Sequence, residues 1–185
     1  MSEMIGLVME DLQDRFDKAL EALSRDLSKM RTGRANMTLL EGIRVSYYGS
    51  PTALNQLASV NIADPRLITV KPWEKNILTD IEKAIIAADI GITPSSDGEI
   101  IRLPIPPLTT ERRKDLVKQV KNAGENAKIT LRNVRRDCNE TLKKSDDLPE
   151  DDMHRGLQKI QEQTDAFVTK VDTIVEEKQK EIMEV

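Results

Sequence analysis

Apolar residues recur in steps of three and four along three long stretches of the chain. In residues 2–30 they fall at Ile5, Val8, Leu12, Phe16, Ala19, Leu23, Leu27 and Met30. In residues 108–144 they fall at Leu116, Val120, Ala123, Ala127, Leu131, Val134, Cys138 and Leu142. In residues 145–185 the stripe is Met153, Leu157, Ile160, Thr164, Phe167, Val171, Ile174, Lys178 and Ile182, close to a heptad seam. Each pattern predicts a helix with one apolar face. At ~1.5 Å per residue the second helix would run roughly 50 Å, so it needs partners of similar length. Thr109 or Thr110 starts it, after a proline-rich segment that blocks an earlier start. Pro149 suits the first position of the third, with Glu150, Asp151 and Asp152 at its positive dipole end. Gly124 is a weak spot in the second helix, costing up to ~1 kcal/mol.

Between the first two helices the period shortens and Pro and Gly become frequent. Residues 43–48 alternate and contain β-branched and aromatic side chains, which predicts a strand. Residues 58–62 and 67–71 predict two more, separated by an Asp64-Pro65 turn, and residues 98–103 a fourth. Gly49-Ser50-Pro51 reads as a turn, and residues 93–98 as a polar loop. A helix capped by Asn76 or Thr79 runs through Ala88, and Trp73 reads as a local packing anchor.

The fold class is therefore α+β. Residues 1–30 and 108–185 form a long three-helix bundle, and residues 31–107 a small inserted β/α/β domain. Two connections, 31–35 and 104–107, act as hinges, with Thr32, Gly33, Ala35, Pro104, Pro106 and Pro107 as the hinge residues.

Charge sharpens this picture. The chain carries a net charge of −4. Residues 1–30 hold four basic and seven acidic side chains, and residues 145–185 five and twelve. Residues 109–144 invert the balance, with eleven Lys or Arg against five Asp or Glu. Attraction between neighbouring helices explains part of that inversion. It does not explain Arg132, Arg135 and Arg136, which share a helix face and repel one another. The cluster points to an external phosphate-rich surface.

Composition excludes several classes. Aromatics are 3% of the chain, so the core is aliphatic. One cysteine permits no internal disulfide, and no apolar run approaches the ~20 residues of a membrane span. The single histidine, His154, sits in an acidic turn and reads as a solvated surface residue, and Cys138 lies on an apolar stripe as a core residue. Metal-ligand spacing, phosphate loops and nucleophile elbows are missing. We expect a cytoplasmic monomer that is not an enzyme, has no cofactor or metal and makes no membrane contact. A helical adaptor protein is the competing class. Salt dependence separates the two, because binding through several arginines weakens steeply with salt.

Longer motifs carry a family. They are KMRTGRAN at 29–36, YYGSPTALNQLASV at 47–60 and IEKAIIAADIGITPSSDG at 81–98, then IRLPIPPLTTERRKDLVK at 101–118 and RNVRRDCN at 132–139. With these, in this order, the chain resembles bacterial ribosome recycling factors over its whole length. It departs from them in the connection 143–152, which is shorter by about one helical turn. The resemblance implies an L-shaped molecule of bundle and hinged domain. It implies a factor that, with elongation factor G and GTP, splits post-termination ribosomes into subunits and releases messenger and transfer RNA. The partners it implies are large-subunit ribosomal RNA, held by the bundle, and elongation factor G, met by the smaller domain. The expected rRNA-binding residues are Arg132, Arg135, Arg136, Arg31, Arg34 and Lys128.

Overall fold

The computed structural model describes residues 3–184. The reading of Ser2 in the first helix lies outside them. The chain divides into two compact units, one of Met1–Met30 with Glu111–Glu184 and one of Arg31–Thr110.

The first unit is three long helices: α1 (Glu3–Ser28), then α4 (Thr110–Lys143) and α5 (Glu150–Met183), numbered with the shorter helices between them. The stripe of α1 is buried at Ile5, Val8, Leu12, Phe16, Leu23 and Leu27. In α5 the seam includes the polar Thr164, 2% exposed, whose hydroxyl donates to the Ile160 carbonyl at 2.6 Å. That bond satisfies the hydroxyl inside the apolar seam. Lys178 is half-buried, its ammonium 3.1 Å from Glu181, so its stem covers the seam while its head stays paired. Pro149 has φ −55° and ψ 143° and caps α5, one position before the place the sequence suggested. Its carbonyl accepts the first helical bond, from Met153 at 2.9 Å.

Two glycines complete the bundle. Gly124 is buried in the α4 stripe, beside a half-buried Ala123. A Cβ at Gly124 would stand 2.5 Å from Val175 Cγ2. The sequence reading of Gly124 as a weak spot is thus incomplete: its missing side chain is what lets α4 approach α5. We expect Gly124→Ala to lower stability by about 1–2 kcal/mol, although alanine is the better helix former. Valine in a helix has one good rotamer and cannot swing aside. A urea titration checks this, and a more stable Gly124→Ala would refute it. At Gly156 an added Cβ would likewise stand 2.8 Å from Leu142 Cδ1, a fully buried side chain.

In the second unit the chain forms a hairpin, β1 (Arg44–Tyr47) with β2 (Ser50–Ala53), and one helical turn, α2 (Leu54–Leu57). Four antiparallel strands follow in the order β3-β4-β6-β5: β3 (Ala58–Asp64), β4 (Leu67–Pro72), β6 (Ile101–Pro104) and β5 (Ser95–Ser96). The helix α3 (Leu78–Ala87) precedes β5. Inward residues of the sheet, Ile68, Val70, Ile101 and Leu103, are fully buried with Ile81 and Ile85 of α3 and Val45 of the hairpin. This is the two-residue alternation of a sheet with one covered face.

Three expectations needed correction here. Ser50 and Pro51 open β2, so the turn is only Tyr48-Gly49; Pro51 is tolerated because this two-stranded ribbon leaves its outer side free. The polar loop 93–98 contains β5, two residues held against β6. The α3 cap is Ile77, with no side-chain bond, rather than Asn76 or Thr79, because a short 3-10 turn at Lys75–Ile77 leads directly into the helix.

Tyr48 has φ 47° and Gly49 φ 80°, the paired left-handed residues of a type I′ hairpin. Glycine adopts that conformation freely, whereas tyrosine pays roughly 1–2 kcal/mol for it. Tyr48 is nonetheless 78% exposed. Its ring meets Tyr47 edge-on at 4.6 Å, and the Tyr47 hydroxyl donates to Glu74 Oε1 at 2.8 Å. That bond to a carboxylate raises the Tyr47 pKa.

Candidate nucleic-acid interface

At 100° per residue, Lys128, Arg132, Arg135, Arg136 and Lys143 fall within roughly 100° of arc on α4. The flank of α4 toward α1 is different. There Gln119, Asn122, Ala123, Asn126 and Thr130 line a groove with Ala19, Ala22 and the acidic Asp26 of α1, and no Lys or Arg lines it. Asp137 lies on that flank too and accepts a 2.7 Å ion pair from Arg15 of α1. These five cations therefore gather on one side of the helix.

They are not equivalent. Lys128 is tied to the bundle: its ammonium pairs with Asp172 of α5 and stands 3.6 Å from Glu125, with only 17% of the side chain exposed. The Asp172 hydrogen bond raises its pKa against the opposing effect of burial. Arg135 is half-buried and donates to Gln161 Oε1 of α5 at 3.1 Å. Arg132 and Arg136 are exposed, and among the described residues neither makes an ion pair. A depression of about 300 Å³ lined by Arg135, Arg136, Asn139, Glu140 and Lys143 continues the face toward the end of the helix. Planar guanidinium groups so spaced suit phosphate oxygens, which accept paired N–H bonds.

Arg31 and Arg34 belong to the second unit. The Arg31 guanidinium lies against the backbone of Gly91, its Nη1 3.0 Å from where a Cβ would be. Gly91 has φ +74°, a conformation that favours glycine in the loop after α3. Arg34 is half-buried. Of the expected hinge residues, Thr32 is 5% exposed, and the Ala35 amide donates to the Pro65 carbonyl at 2.7 Å. Gly33 has φ +76° and packs against Leu108, 3.0 Å from the place of its missing Cβ. Pro104 pairs with Leu67 as the last residue of β6, and Pro106 and Pro107 are exposed outside any strand or helix.

Cys138 is 2% exposed, and burial pushes its thiol pKa up, so it is an inert core residue. His154 is exposed on α5, 3.8 Å from Glu150. Among the described residues, no helix is long and apolar enough to cross a membrane.

A family model described as ribosome recycling factor matches residues 23–183. The chain belongs to the ribosome recycling factor family. A ribosome-recycling factor of Myxococcus xanthus is 57% identical over 185 residues, covering 98% of this chain and all of that protein. One of Brevibacillus brevis is 49% identical over 181 residues, covering 96% and 98%. Among solved structures, the solution structure of a ribosome recycling factor superposes with a TM-score of 0.79 at 33% identity, covering both chains completely. A second similar chain, with a TM-score of 0.64, 41% identity and coverage of 99% and 100%, comes from models of the Thermus thermophilus factor and Escherichia coli elongation factor G on the E. coli post-termination complex. The family members therefore share this α+β fold of long helices and a small β unit.

Proposed function

We propose that this protein recycles ribosomes: with elongation factor G and GTP it separates a post-termination ribosome into subunits and frees messenger and transfer RNA. Its part is mechanical, with no reaction at its own side chains. The bundle holds large-subunit rRNA through the basic side of α4, with Arg132 and Arg136 as the principal contacts and Arg135, fixed by Gln161, beside them. Lys128 contributes field more than contact, because Asp172 already holds it. The two units work as domains, with the smaller one meeting elongation factor G. Articulation belongs to the two connections 31–35 and 104–107, within which Ala35 and Pro104 are bonded to the smaller unit.

The observation that carries this reading is the segregation of charge on α4. Two arginines are left outward with no ion-pair partner among the described residues, on the side away from the α1 groove, which no Lys or Arg lines. Cations that served only the bundle would be paired as Lys128 is. Phosphate contacts of this kind position a protein without reading sequence.

Light scattering tests the reading. Post-termination ribosomes mixed with this protein, elongation factor G and GTP are expected to lose scattering intensity as subunits part. An unchanged signal with a matched elongation factor would overturn it. Binding that hardly varies with salt would favour an adaptor held by apolar contacts.

A further inference from the structure

The chain has one tryptophan and two tyrosines, and two of these three are turned to solvent on neighbouring segments. Tyr48 is 78% exposed at the hairpin tip, and Trp73 is 67% exposed immediately before Glu74. Trp73 is thus not the packing anchor that its sequence context suggested. Glu74 joins the two segments by accepting the Tyr47 hydroxyl, against whose ring Tyr48 rests edge-on.

Neither exposure serves the fold. The first central position of a type I′ turn favours Asn, Asp or Gly, and Tyr48 occupies it with φ 47°. Backbone strain held at an exposed aromatic is what a contact site leaves behind when stability yields to function. Tyrosine and tryptophan are the side chains most enriched where protein interfaces concentrate their binding energy.

The surroundings select the kind of partner. Surfaces that stack nucleobases sit in positive grooves that track the phosphates. Here a carboxylate, Glu74, follows Trp73 directly and accepts the Tyr47 hydroxyl, and the adjacent Lys75 is already paired with Glu99 at 2.7 Å. The unit Arg31–Thr110 carries eight charges of each sign, for no net charge. A protein surface with apolar sockets and a cation placed for Glu74 fits this patch, and an RNA backbone does not.

We infer that Tyr48 and Trp73, on the two segments that the Tyr47–Glu74 bond joins, are the aromatic anchors by which the smaller unit docks onto elongation factor G. This rests on the recycling role proposed above, in which that GTPase is the protein partner.

The test uses Tyr48→Asn and Trp73→Ala in the full chain. Asparagine suits the left-handed position, so Tyr48→Asn is expected to melt at or above the wild-type temperature. Trp73→Ala, at an exposed site, keeps the fold. Both variants should bind ribosomes alone within about twofold of wild type. Both should need at least tenfold more elongation factor G for half-maximal splitting, and Tyr48→Phe should restore the wild-type requirement. Wild-type dependence on elongation factor G in both variants would overturn the inference. Loss of ribosome binding without elongation factor G would overturn it too, by assigning the aromatics to the ribosome. Failure of the wild-type protein to split ribosomes at all would instead strike the recycling role.

Discussion

Replacing Arg132 and Arg136 together by alanine is expected to weaken ribosome binding by on the order of 10²-fold or more, with no change in the melting of the bundle. Both side chains are exposed and, among the described residues, unpaired with acids, so the fold loses nothing when they are removed. A hydrogen bond to a charged group is worth about 1.5–3 kcal/mol, and two lost phosphate contacts come to roughly 3–6. The slope of log affinity against log salt should flatten by about 0.7–0.9 for each contact removed. Arg135→Ala and Lys128→Ala should behave differently, because each also surrenders a partner on α5. Pelleting ribosomes with the variants across a salt series measures all of this. Affinity and slope that stay at wild-type values in the double variant would remove the arginine face from the binding surface.

The largest stability effect is expected at the centre of the bundle. Phe16 of α1 and Phe167 of α5 meet with ring centroids 4.9 Å apart, both at most 2% exposed. They are the only phenylalanines of the chain, set in an otherwise aliphatic interior. Phe167→Ala should cost about 3–5 kcal/mol through lost transfer energy and an unfilled cavity. Lys170, whose ammonium lies 4.1 Å from the Phe167 ring centroid, loses its cation–π contact in the same change. Against a total of roughly 5–15 kcal/mol for a domain, that is a large share. Urea unfolding followed by the helical circular-dichroism signal gives the number, and a loss under ~1 kcal/mol would contradict the central role of the pair.

The helices were legible in the sequence because their apolar periods are long and unbroken. The stripes from Ile5 to Leu27 and from Leu116 to Leu142 are buried nearly residue for residue. What escaped were features set by a distant neighbour. Gly124 looks like a defect until Val175, far along the chain on α5, is placed against it. Lys128 and Arg135 look like free cations until Asp172 and Gln161 are brought alongside by the return of α5. Short strands escaped for a different reason. The strand β2 begins Ser50-Pro51, and β5 is only Ser95-Ser96, so neither has the length or alternation that marks a strand. In the candidate interface, the helix face was readable from spacing alone. Which of its arginines are left outward was decided by tertiary pairing.

The placement of the aromatic residues also divides the molecule spectroscopically. The sole indole stands on the surface of the smaller unit, while the bundle contains phenylalanine but neither tryptophan nor tyrosine. Intrinsic tryptophan emission therefore reports on one unit alone and is nearly blind to the other. A surface indole changes little when its own unit unfolds but responds when something covers it. The native protein thus carries a label-free optical probe of encounter at Trp73, and dichroism, dominated by the long helices, follows the bundle separately.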